Sequence, residues 1–246
     1  MDFAPVNENV GRLALVPSTI APDPVVKPAE QPATIWLRGE IGANKSISLE
    51  NVRRDVSALN NPAHIRMAIC SSGGNISEAR KIYNFLRALP MPVSAQAVEY
   101  VVSAGVFVFL AASYRKMIAN VELLIHATRQ DVKENNLTAR DFRRRAEDLE
   151  KNDRETVDFL SARTGCSPGF FEEQMEHENS LSPFEALDSG IVHEIEGLTP
   201  RCSLAWAAQA KEVAAAGMIV PSHFLTANYF AACATASLLT ERRERC

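Results

Sequence analysis

The sequence predicts an α/β fold built on a parallel sheet, and three observations carry that prediction. Short apolar runs of strand length recur at residues 34–37, 65–70, 93–98, 116–119 and 123–125. Segments with helical spacing lie between them, as where Ile82, Phe85, Leu86 and Leu89 fall on one helix face. Finally, 246 residues of ordinary globular composition, 46% hydrophobic and 23% charged, suffice for one substantial core. Strand and helix in alternation select parallel βαβ units over a barrel of hairpins.

Taken in order, residues 1–33 carry Pro5, Pro17, Pro22, Pro24, Pro28 and Pro32 with little periodicity, which reads as a flexible N-terminal arm. The first strand is expected at 34–37, followed by a helix over 48–59 that stops near Asn60-Asn61-Pro62. A second strand over 65–70 is stopped by Ser71-Ser72-Gly73-Gly74. An amphipathic helix follows over 77–89, ended by Pro90 and Pro92, then a third strand over 93–98. Residues 103–112 are almost wholly apolar, as a helix inside the core should be. Two short strands, 116–119 and 123–125, complete this half.

From 137 to 163 the pattern is one long helix. Phe142, Ala146, Leu149, Val157 and Leu160 form a broken apolar stripe among dense charges, so most of its surface should meet water, and the helix should project or pair with another subunit. Gly165 is its expected stop. A short helix is expected at 169–175. Ser182-Pro183-Phe184-Glu185 then combines an N-cap, a proline at the first helical position and a capping-box glutamate. That helix should end at Gly190, and Ile191-Val192 should return to the sheet. Residues 199–246 form an alanine-rich extension with a weak helix at 203–216.

Composition excludes several functions. A net charge of -4 gives no reason to expect nucleic acid or an anionic membrane as partner. Five cysteines without a C-x-x-C pair offer neither a zinc pattern nor a disulfide framework, and they suit a reducing cytoplasm. No basic stretch precedes an apolar one at the N-terminus, so no signal peptide is expected. Residues 218–239 are apolar on balance, but Pro221, Ser222, His223, Thr226 and Asn228 interrupt them, against a membrane anchor. No metal or organic cofactor is implied.

The chemistry gathers at three strand ends. Ser103 opens the apolar helix, His126 closes Leu123-Leu124-Ile125, and Gly73-Gly74 follow the second strand. A serine hydroxyl becomes a nucleophile when an imidazole takes its proton, and it needs backbone N–H donors for the oxyanion that forms. Each residue also has an ordinary structural reading: Ser103 as an N-cap, the glycines as a turn needing positive φ, His126 as a strand-end residue. Their shared setting at strand C-termini, where sites gather in open α/β sheets, favours the functional one.

Ser-Ser-Gly-Gly at 71–74, Val-Ser-Ala-Gly at 102–105, Leu-Ile-His at 124–126 and Leu-Ser-Pro-Phe-Glu-Ala-Leu-Asp-Ser-Gly-Ile-Val at 181–192 resemble, in that order, the sequence blocks of the Clp protease proteolytic subunit family. The resemblance runs from about Thr34 to Glu196, and it implies a peptidase domain over 34–198. It also implies a Clp protease/crotonase-like spiral of parallel βαβ units, the long helix projecting to interlock two rings. By the same resemblance Ser103 matches the nucleophile, His126 the general base, and Gly74 and Ala104 the two oxyanion N–H donors. The acid falls on Glu178, with Asn179 and Glu176 as neighbouring alternatives. Ser72 stands where the family has proline, Val101-Val102 where it has small residues, and Ala104 where it has methionine. By the same resemblance, these departures fall beside the substrate groove, where a change in specificity is expected.

Three functions follow as alternatives. The leading one is a cytoplasmic serine endopeptidase, working on peptides or unfolded proteins inside homo-oligomeric rings fed by an ATP-dependent unfoldase. No G-x-x-x-x-G-K-[ST] is present for the chain itself to bind ATP. The second is an inactive scaffold subunit of a mixed ring, motivated by glutamate at the acid position. The third is an acyl-CoA enzyme of the crotonase superfamily, which would need neither Ser103 nor His126.

Overall fold

Alternating burial along Ala33–Ile41 (β1) turns Ile35, Leu37 and Ile41 inward and leaves Trp36 and Arg38 facing out. The computed structural model describes residues 32–178 and 180–196. Expectations for the arm up to residue 31, for the extension at 199–246 with its helix at 203–216 and the 218–239 segment, and for Asn179 lie outside the described residues.

β1 pairs in parallel with Ile65–Gly74 (β2), which pairs in parallel with Val93–Val102 (β3). The sheet continues in parallel through Tyr114–Ile118 (β4) to Glu194–Glu196 (β7), giving the order β1-β2-β3-β4-β7. The expected parallel α/β class is therefore observed. β3 serves two neighbours in turn. Ser94–Ala97 pair with β4, whereas Tyr100–Val102 pair with Glu122–Leu124 (β5). Ser180–Leu181 (β6) adds antiparallel to β5, a two-residue strand with no periodic signal to predict it.

Helix caps set the connections. Ser48 accepts from the Asn51 N–H at 3.2 Å to start Leu49–Ser57 (α1), and Asn75 accepts from Glu78 N–H at 2.9 Å to start Ile76–Arg87 (α2). Buried Glu78 in turn accepts from Leu49 N–H at 2.9 Å, tying the two helix starts together. That bond is the first cause holding its carboxyl below the usual range. Ala104–Phe109 (α3) is buried at every position, as its apolar run requires.

Ala139–Thr164 (α4) is the long helix, started by a Thr138–Asp141 capping box and stopped by Gly165 at φ 80°. Its 26 residues span roughly 39 Å at 1.5 Å per residue. Only Thr156, Val157, Leu160 and Arg163 are buried, all in its last third. Phe142, counted in the sequence stripe, is 54% exposed, so the first half of the helix stands off the body as expected. Pro168–His177 (α5) and Pro183–Asp188 (α6) complete the chain, the latter with the predicted Ser182–Glu185 capping box.

Several boundaries differ from the sequence reading. β1 reaches Ile41, β3 reaches Val102 and β4 starts at Tyr114. Two further differences have a visible cause. β2 runs through Gly73 and Gly74 instead of stopping at Cys70, because bulges let it follow its neighbours past the apolar run. The return to the sheet comes at Glu194–Glu196 and not at Ile191-Val192. Val192 N–H is held by the Ala186 carbonyl, and buried Arg115 claims the carbonyls of Ile191 at 2.7 Å and Gly190 at 2.8 Å.

Next to Arg115 sits His193, whose imidazole is pushed down to about 4, by burial first and then by Arg115 and Arg163. A histidine that is neutral in the fold but protonated when unfolded takes up protons only on unfolding between pH 6.5 and about 4. Stability is therefore full above 6.5 and falls as pH drops through that window. Discounted for partial exposure, the loss is on the order of 1 to 2 kcal/mol. Urea unfolding at pH 7 and 4.5 should show it in the wild type and show a smaller fall in His193→Gln. Equal falls in both would remove His193 as the cause.

Candidate active site

Strand register brings the sequence-predicted residues to one place. Val101 pairs with Leu123 and Val102 with Leu124, and Ser103 N–H donates to the Leu124 carbonyl at 2.8 Å. His126 thus leaves the sheet two residues beyond the atom that anchors Ser103. On the other side of β5, Leu123 pairs with Leu181 and Leu124 with Ser180. Glu178 lies two residues before β6 and His126 two residues after β5, near enough for charge on His126 to act on the Glu178 carboxyl. Two adjoining strand ends therefore carry the hydroxyl and the imidazole, and the carboxylate stands on the turn after α5.

Ser103 occupies φ 56°, ψ -126°, a combination outside the left-handed helical well and costly for a residue with a side chain. Its hydroxyl makes no capping bond to α3, so the plain N-cap reading is set aside. The sharp strand-to-helix turn lifts the side chain off the sheet, as nucleophile elbows do. Gly73 is what makes room. A Cβ there would lie 2.7 Å from Ser103 Cβ, 2.7 Å from the Val102 carbonyl oxygen and 3.1 Å from Ala104 N.

His126 is half-buried, and its Nδ1 lies 2.6 Å from the Ala127 carbonyl oxygen. A carbonyl only accepts, so Nδ1 is the donating nitrogen, and Nε2 is the one that carries the lone pair in the neutral ring. Beyond it, Thr128 N–H donates to Asp153 of α4 at 2.6 Å, which pins the segment leaving the site. Glu178 follows α5 in the left-handed conformation, φ 51°. Its carboxylate is hydrogen-bonded by Arg129, and that guanidinium is the main reason its carboxyl sits below the usual range, with the charge of His126 a smaller contribution. Arg129 was not among the sequence candidates. Its pairing across 49 residues has no local signature.

Glu176, the other acid considered, lies within α5 and is exposed. Among the described residues no group of three or more His, Cys, Asp or Glu is arranged to hold a metal ion. Nor is any helix there long and apolar enough to cross a membrane.

A parallel α/β sheet with serine and histidine at adjoining strand ends is the architecture of a Clp-type peptidase. Residues 28–198 match the Clp protease family, and the chain belongs to that family. Its members are peptidases that form oligomeric rings and act on protein substrates. Among solved structures, the chain is similar to ClpP1 from Listeria monocytogenes, with 25% identity and a TM-score of 0.56 over 68% of this chain and 92% of that one. It is similar also to an asparagine-to-aspartate mutant of ClpP1 from Listeria monocytogenes, with 23% identity and a TM-score of 0.55 over 66% and 90% of the two chains.

Proposed function

We propose that the chain is a serine endopeptidase, with Ser103 as nucleophile, His126 as general base and Glu178 as the acid. The observation that supports this reading best is the register of β3 against β5, with Ser103 and His126 following adjoining strand ends and Glu178 on the turn before β6. Ser103 Oγ bonds to the scissile carbonyl carbon as His126 Nε2 takes its proton. Collapse of the tetrahedral intermediate breaks the C–N bond, and the same proton goes to the leaving amine. Water then hydrolyses the acyl-enzyme by the reverse use of His126.

The oxyanion donors are the Gly74 and Ala104 amides. Asn75 N–H donates to the Ile41 carbonyl, and residues of a parallel strand alternate in the neighbour they bond. The Gly74 amide therefore faces away from β1, on the side where β3 leads to Ser103. Ala127 already fixes the imidazole tautomer, so the role of Glu178 is to favour the imidazolium that forms during attack.

Substrates are peptides or unfolded proteins, met inside a homo-oligomeric ring with the projecting α4 at the contact between rings. An ATP-dependent unfoldase supplies them, and the setting is cytoplasmic. The peptidase domain spans 34–198, between an arm at 1–33 and an extension at 199–246. A scaffold subunit is the second reading, favoured by the hold of Arg129 on Glu178.

A fluorophosphonate probe on the purified full chain tests the proposal. The wild type should be labelled, and Ser103→Ala should not. Glu178→Gln should be labelled about 10 to 100 times more slowly, less than the roughly 10,000-fold loss seen when an acid alone sets the tautomer. A wild type that takes up no probe would establish the scaffold.

A further inference from the structure

Ser71 has no exposed surface, yet it is a polar residue in the middle of a sheet. It sits where both ladders of β2 lose register. Between β1 and β2 the pairing passes from Arg38–Cys70 to Glu40–Gly73, so Gly39 alone faces Ser71 and Ser72. Between β2 and β3 it passes from Ile69–Ala97 to Ser71–Val101, with two additional residues on β3. Such bulges break ladder bonds and leave buried backbone groups in need of partners.

The Ser71 hydroxyl supplies them. It donates to the Gly39 carbonyl at 2.8 Å and accepts from Gly73 N–H at 3.2 Å. On its other side it abuts the nucleophile helix. A Cβ on Gly105 would lie 3.2 Å from Ser71 Cβ and 3.4 Å from its Oγ. One side chain thus touches the glycine turn, the edge strand and the helix that follows Ser103. Its bond also occupies the Gly73 amide, so the next amide along, Gly74, is the one left for a substrate oxygen.

We infer that Ser71 is a positioning residue of the oxyanion hole, holding the Gly73-Gly74 turn in register with Ser103 and Ala104. This rests on the peptidase reading and deepens it. An oxyanion hole binds an oxygen that exists only in the transition state, so misplacing its donor lowers kcat and leaves substrate binding nearly unchanged. A side chain that only supported the fold would lose activity in step with folded protein.

Peptide hydrolysis and fluorophosphonate labelling by the full chain, as wild type, Ser71→Ala and Ser71→Cys, make the test. Ser71→Cys keeps the volume against Gly105 with a thiol that bonds weakly, and serves should the alanine variant not fold. Both should lose at least about tenfold in kcat and in labelling rate with KM within about twofold, while remaining folded by circular dichroism. Amide exchange at Gly73 should quicken in both. A kcat within twofold of wild type, a rise confined to KM, or full activity in Ser71→Cys overturns the role of Ser71. Absence of labelling in the wild type overturns the peptidase reading instead, and this inference falls with it.

Discussion

Replacing Ser103 with glycine is expected to abolish peptide hydrolysis and, in the same variant, to stabilise the fold. The two effects have one origin. Ser103 is held at φ 56°, ψ -126°, where a Cβ meets its own backbone and only glycine rests without strain. Such a conformation costs on the order of 1 to 3 kcal/mol, and glycine returns roughly 0.5 to 1 kcal/mol of that as unfolded-chain entropy. The net gain is about 1 kcal/mol, or some 2 to 4 °C in Tm for a chain of this size. Activity should fall by about three orders of magnitude or more, since oxyanion donors and substrate binding are all that remain. Ser103→Ala is the partner experiment. It removes the same oxygen but keeps the Cβ, so it should be as inactive as the glycine variant and no more stable than wild type. Thermal unfolding of the two variants, beside a peptide assay, separates strain from chemistry. Hydrolysis surviving in Ser103→Gly would move the nucleophile to another residue.

Why the strain is concentrated at Ser103 follows from its neighbours. Its N–H is tied to β5, its side chain faces Gly73, and α3 behind it is buried at every position. The turn cannot relax toward any of them. A packed core that over-determines one residue is how a reactive conformation persists.

Sequence made some of this visible and hid the rest, for identifiable reasons. His126 was legible because an apolar run stops there, and Ser103 because one begins there, although its strand was expected to end at residue 98. The caps at Ser182 and Gly165 were legible because their side-chain requirements are local. β6 was invisible. Two residues have no period, yet this strand is what brings the segment after α5 alongside β5. The reach of β2 through Gly74 was missed because glycine pairs read as turns, whereas bulges there bend a strand without ending it. Ser71 looked like a polar stop signal after Cys70, and only the broken ladders on both sides explain a buried hydroxyl. The Arg129–Glu178 pair joins segments 49 residues apart and follows from the fold alone.

Gly73→Ala should be strongly damaging while leaving every candidate catalytic side chain in place. At φ 86° an alanine is strained before any contact is counted. Its methyl would then sit 2.7 Å from both Ser103 Cβ and the Val102 carbonyl oxygen, and 3.1 Å from Ala104 N. Backbone atoms cannot swing aside as a long side chain can, so the elbow itself must shift, carrying the nucleophile and one oxyanion donor with it. Misplacement of this kind costs on the order of a hundredfold in rate, alongside roughly 1 to 3 kcal/mol of stability from overpacking. Gly165→Ala supplies the control. It shares a positive φ of 80°, but a methyl there meets nothing within 4 Å. That variant should lose about 1 kcal/mol and keep its activity. Comparing kcat for the two at a temperature where both are folded isolates the contact from the strain. Wild-type turnover in Gly73→Ala would mean that the glycine turn does not abut the nucleophile during catalysis, and the oxyanion assignment to Gly74 and Ala104 would fall with it.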